Sequence, residues 1–163
     1  MNEEAIQEQI KESLTNAYEE LKRADHLFHV TLKYTRTVDV LKSVIERLIN
    51  AFNHSMDALL YYAQSKGKID AVPKIPLVKA EKIKEVFSED KNICDFQNFF
   101  MLLRKIDKAQ FGKDREYRRH VTMTAKMDEG DAEITIDIIG DYFKKTKEFV
   151  SCVEEYISGN NKG

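Results

Sequence analysis

The sequence predicts a mainly α-helical, up-down bundle built on a long antiparallel helical hairpin, with a small β-hairpin inserted before the last helix. Three observations predict it. Apolar residues recur at alternating spacings of three and four over most of the chain. Helix breakers are scarce, with six Gly and two Pro in 163 residues. One late stretch switches to a strict period of two, the signature of a strand with one buried face. The length suits one domain, 1–163, with a core of its own.

Ile6, Ile10, Leu14, Ala17, Leu21, Ala24, Phe28 and Thr31 form the first stripe, on a helix from about Glu3 to Lys33. Val38, Leu41, Ile45, Leu48, Phe52, Met56, Leu59 and Ala63 form the second, on a helix that ends near Lys66 with Gly67 as its stop. Thr35, Arg36 and Thr37 separate the two with β-branched residues able to cap a helix. A tight antiparallel hairpin buries both stripes. A continuous rod, about 95 Å long at 1.5 Å per residue, is the alternative.

The connector 67–76 holds Pro73 and Pro76, which lack amide donors and bias the residues before them away from helix. A short helix follows, with Leu77, Ala80, Ile83, Val86 and Phe87 on its apolar side. Ser88 to Asp90 offers a cap for the next, which carries Ile93, Phe96, Phe99, Phe100, Leu103 and Ile106. These phenylalanines read as core packing. Beyond a basic turn, Val121, Met123, Ala125 and Met127 alternate with polar residues, as do Ala132, Ile134, Ile136 and Ile138, with Asp128 to Asp131 between them. That pattern predicts a β-hairpin over about 120–138. The last helix carries Ile139, Tyr142, Phe143, Thr146, Phe149, Val150, Val153 and Tyr156 and runs into a disordered tail, 159–163.

Composition narrows the function classes. Hydrophobic residues make up 42% and charged ones 33%, as in a helix-rich globular protein. Cys94 and Cys152 fall on apolar stripes, so no disulfide framework is expected and a reducing compartment is. The first residues lack the basic and apolar regions of a signal peptide, and no apolar run reaches membrane-spanning length, so a cytoplasmic protein with no membrane association is expected. None of His26, His29, His54 and His120 has an acidic residue three positions before it, which disfavours a carboxylate-bridged di-metal bundle. His26 and His29 lie three apart on the first helix without a visible third ligand. There is no Cys-x-x-Cys, no glycine-rich phosphate loop and no nucleophile elbow. Neither a cofactor nor a metal is expected.

The chemically suggestive stretch is Asp114 to His120, DREYRRH. From Arg104 to Arg119 there are seven basic residues (Arg104, Lys105, Lys108, Lys113, Arg115, Arg118, Arg119) against three acids, an excess of four on a chain of net charge −2. Histidine moves protons near neutrality, and arginine holds phosphate bidentately while keeping its charge. The bland alternative is a solvated basic turn.

The helical bundle and this segment together resemble the HEPN superfamily, whose motif is an arginine, four to six residues, then a histidine. Arg115 and His120 fit with four between, and Glu116 supplies the polar residue after the arginine. Arg23 with His29 and Arg47 with His54 also satisfy the spacing, but only Arg115 and His120 lie late in the chain within the basic segment. The resemblance would cover most of Glu3 to Ile157. It implies metal-independent RNA cleavage or binding in a toxin–antitoxin or defence setting, a homodimer, and a protein partner such as a cognate antitoxin. In that reading Arg115 and His120 are catalytic, and Arg104, Lys105, Lys108, Lys113, Arg118 and Arg119 hold the nucleic-acid backbone. In the family the motif continues into a helix, whereas VTMTAKM here reads as a strand. The pair is therefore expected on a turn leading into the hairpin, or on a local helical turn if the hairpin is an insertion. The competing expectation is a non-catalytic module that dimerises or docks a protein partner through the helical hairpin or a sheet edge.

Overall fold

Helix α1, Glu3–His26, opens where the Asn2 side chain accepts the Ala5 amide at 2.8 Å. It passes through a π-helical turn, Leu27–Thr31, into the one-turn α2, Leu32–Tyr34. This is a computed structural model and describes residues 2–160, without the side chain of residue 160. The π turn inserts one extra residue, so the buried stripe resumes at Leu32 and not at Thr31. Phe28, within that turn, presses against α6 (Ile136–Asn160), where a Cβ on Gly140 would lie only 3.1 Å from the ring.

At Thr37 the side chain accepts the Val40 amide at 3.3 Å, and helix α3, Val38–Ser65, runs back along α1. The continuous rod is thereby excluded. Ala17 and Leu21 pack on Ala51, and the buried Glu20 carboxylate accepts from Arg23 at 2.8 Å and from Arg47 at 3.3 Å, locking the register of the pair. Gly67, at φ +74°, donates to the Gln64 carbonyl at 3.0 Å and lets Lys68 reach back to Ala63, the left-handed ending that only glycine adopts without strain.

Pro76 begins α4, Pro76–Val86, at the position where a missing amide costs nothing. Ala80, Ile83 and the capping Phe87 are buried, but Leu77, expected on the apolar side, is exposed. Lys79 is buried instead, its Nζ 2.6 Å from Asp57 and 3.0 Å from the Asn53 amide oxygen. Asp90 caps α5, Lys91–Lys108, by accepting the Ile93 amide at 3.0 Å. The aromatic core lies where α3, α5 and α6 meet. Phe52 stacks on Phe149 at 4.6 Å and tilts against Phe99 and Phe100 at 5.7 Å each.

The expected β-hairpin is part of a larger sheet. Strands β1 (Gln110–Asp114), β2 (Thr122–Met127) and β3 (Gly130–Ile134) form an antiparallel sheet in the order β1-β2-β3, with Gly112 opposite Thr124 and Ala125 opposite Ala132. Val121, Met123, Ala125 and Ile134 are buried against the helices. The predicted second strand ran to Ile138, but Thr135 ends it: its hydroxyl accepts the Ile138 amide and its carbonyl the Ile139 amide, which starts α6. Ile136 and Ile138 are therefore helical. The expected disordered tail is also corrected, since α6 includes Gly159 and Asn160; the rest of that expectation lies outside the described residues. Cys94 and Cys152 are free thiols, half-buried at the margin of the core and not within it. Among the described residues no helix is long and apolar enough to cross a membrane.

Candidate nucleic-acid interface

The DREYRRH segment connects β1 to β2. It is not helical, which corrects the expectation of a local helical turn: Arg115 has φ +54° and Tyr117 φ +65°, left-handed values that a bulky residue adopts only when its surroundings hold it there. Two long-range bonds do so. The Tyr117 amide donates to the Arg36 carbonyl at 2.6 Å, and the Glu116 carboxylate accepts the Val38 amide at 3.0 Å. Glu116, the polar residue of the motif, thus satisfies one of the unpaired amides at the start of α3. Nearby, Lys113 pairs with Asp39 at 3.3 Å, and Lys42 reaches the Asp107 carbonyl at 2.6 Å and its carboxylate at 3.3 Å. The whole connection is tied to the interhelical break at Thr35–Thr37 and to the start of α3. The loop closes on itself as Val121 donates to the Arg118 carbonyl and the Thr122 hydroxyl to the His120 carbonyl.

This docking encloses a cleft of about 480 Å³ that Arg36, Arg115, Arg119 and His120 line together. Glu133 from β3 and Asp137 from α6 complete its polar lining, with Thr122 and Thr135 between. Three arginines against two carboxylates leave one net positive charge, His120 aside. The first turn of the 25-residue α6 also borders the cleft, and its positive dipole end adds to the attraction for an anion. Such a site can hold a phosphodiester between guanidinium groups with an imidazole and two carboxylates at hand for proton transfer.

Of the sequence-predicted residues, the fold therefore unites Arg115, Arg119 and His120. It does not unite the rest of the basic run. Arg118 is on the same loop but outside the cleft. Arg104 lies on α5 with its guanidinium 5.9 Å from the Phe100 ring centre. Lys105 pairs with Glu129 at 2.7 Å; that hydrogen bond raises the lysine above its ordinary range and lowers the glutamate. Lys108 is exposed at the end of α5, and Lys113 is engaged by Asp39. The run is spread over a helix, a strand and a loop. The other two motif matches are occupied elsewhere. Arg23 and Arg47 both hold Glu20, His29 bonds Asp25 at 2.9 Å, and His54 is half-buried on α3. His26 and His29 are both exposed.

Sequence reasoning missed Arg36, Glu133 and Asp137. Arg36 carries no signal beyond its place in the interhelical break, and the alternation of residues 132–138 puts the two acids on the solvent side of a strand. Among the described residues no group of three or more His, Cys, Asp or Glu is placed to hold a metal ion. Comparison with family models, with curated proteins and with solved structures gives no match to this chain.

Proposed function

We propose that this chain is a HEPN-like, metal-independent RNA-binding and RNA-cleaving protein whose site is the cleft at the β1–β2 loop. The reading is supported by one observation above the others: Arg115 and His120, paired by the motif, line the same cleft as Arg36 and Arg119. In the proposed reaction a ribose 2′-hydroxyl loses its proton and its oxygen attacks the adjacent phosphorus. The P–O5′ bond breaks, leaving a 2′,3′-cyclic phosphate, and the departing oxygen takes up a proton. His120 serves one of these proton transfers, and Glu133 or Asp137 the other. Arg115, with Arg36 and Arg119, stabilises the charge that builds on the phosphate oxygens. The RNA supplies its own nucleophile, so DNA is not a substrate. A homodimer and a cognate antitoxin belong to this reading as its expected partners.

The test is cleavage of end-labelled RNA and a matched DNA in EDTA by wild type, His120→Ala and Arg115→Ala. Cutting of RNA alone, lost in both variants, supports the proposal; wild type that cuts nothing the variants spare overturns the catalytic part. A second reading is favoured by the bond from Val38 to Glu116, which gives the motif a structural task. In it the loop simply fastens the sheet to the helical hairpin of a non-catalytic interaction module. Variants that are destabilised but never alter RNA binding or cleavage would support that reading.

A further inference from the structure

Two exposed aromatic side chains lie on the chain segments that bring Arg36 and Arg115 to the cleft, and packing gives neither a role in the fold. Tyr34 is 84% exposed and Tyr117 76%, more than any other large apolar side chain described. Tyr34 ends α2, and Tyr117 sits on the β1–β2 loop. The bond from the Tyr117 amide to the Arg36 carbonyl brings their backbones together, with only Thr35 between Tyr34 and the accepting residue. Burial does not explain either ring. Tyr117 is moreover held at φ +65°, unfavourable for an aromatic residue, in a loop tethered through its own amide and through Glu116. The fold thus holds a strained backbone that presents a ring to solvent, on the loop that carries Arg115 and Arg119 and with its amide bonded to Arg36.

Flat aromatic faces beside a line of guanidinium groups match single-stranded nucleic acid, whose unpaired bases stack on the rings while its phosphates meet the cations. A duplex cannot offer this, because its bases are already stacked on one another. We infer that Tyr34 and Tyr117 form a stacking platform at the mouth of the cleft, and that the ligand is single-stranded RNA with unpaired bases flanking the bound phosphodiester. This rests on the RNA reading proposed above and specifies its substrate.

The test is fluorescence anisotropy with 2′-O-methyl RNA, which lacks the nucleophilic hydroxyl and survives wild-type protein. Three labelled forms are compared: a single strand, the same sequence as a duplex, and a strand of equal length made abasic. The single strand should bind most tightly. Tyr34→Ala and Tyr117→Ala should each weaken it on the order of tenfold without changing the slope of log affinity against log salt, because no phosphate contact is lost. Tyr117→Phe should keep the affinity, since it keeps the ring. Equal binding of all three forms, with both alanine variants unaffected, overturns the platform and leaves phosphate recognition standing. No binding of any form overturns the RNA reading and the platform with it. Both rings are solvent-exposed, so thermal unfolding of the variants should match wild type and serves as the folding control.

Discussion

Glu116 accepts the backbone amide of Val38 at 3.0 Å across seventy-eight positions of sequence, so a loop between two strands caps the second long helix. This contact joins the sheet to the helical hairpin and fixes the loop that carries Arg115 and His120. Its loss should act on stability and on the site together. Glu116→Ala should cost about 1 kcal/mol, the usual worth of a helix cap, and should weaken RNA binding by releasing the loop. Glu116→Gln keeps an oxygen acceptor and should recover most of both. Denaturant unfolding and anisotropy on the same samples check this; an alanine variant as stable as wild type shows that the bond contributes nothing.

Arg36 and Lys105 should separate the cleft from the remainder of the basic run. Arg36 lines the cleft, whereas Lys105 is spent on Glu129. Arg36→Ala should lower the log–log salt slope of RNA binding by about one, as for loss of one phosphate contact. Lys105→Ala should leave it unchanged. Salt titrations of the two variants decide, and the reverse ranking would move the interface to α5.

Lys79 is the test of the buried polar core. The residue is 5% exposed, and its ammonium is held by Asp57 and Asn53. Asp57→Ala strands a buried charge and should destabilise by about 3 kcal/mol, while Lys79→Met combined with Asp57→Leu should recover most of that. Chemical denaturation of the three proteins checks the order. Equal stability of single and double variants would show that the pair is not coupled.

Alkaline pH should loosen the C-terminal helix. Burial raises the Cys152 thiol above its ordinary value of 9.0, with Asp90 and Glu155 adding to it, and burial raises Tyr142 above 10.0. Both groups are neutral when protonated, and the fold resists their ionisation. Their contribution is therefore complete below the unfolded values and is lost as pH rises through the raised folded ones. Stability should fall above about pH 9, and Tyr142→Phe should flatten the upper part of that fall. Thermal unfolding across pH 7 to 11 measures it; identical profiles for variant and wild type would remove Tyr142 as a cause.

The helices were legible because burial writes a period into sequence: every residue of the α5 stripe, from Ile93 to Ile106, is buried where the spacing put it. Strand β1 was not legible. Its five residues, QFGKD, carry one large apolar side chain and a glycine, and they are held as an edge by backbone bonds to β2 instead of by a buried face. The boundary at Thr135 was misplaced because Ile134, Ile136 and Ile138 keep the alternation, and only the threonine cap converts the later two to helix. The π turn left no mark in the apolar pattern. At the site, the motif and the basic segment pointed to Arg115, Arg119 and His120, but Arg36 joins them only through docking of chain segments far apart in sequence, which no local pattern encodes.

Because the cleft draws its walls from the turn at Arg36, the loop at Arg115 and the start of α6, its assembly has an order in time. The helical hairpin closes a short loop and forms from local contacts; the cleft must wait for distant segments to meet. During synthesis at about 5–20 residues per second, the N-terminal hairpin can form while Asp137 is still unmade. The cleft is therefore completed only when α6 has been made and has docked, after the hairpin that supplies its first wall.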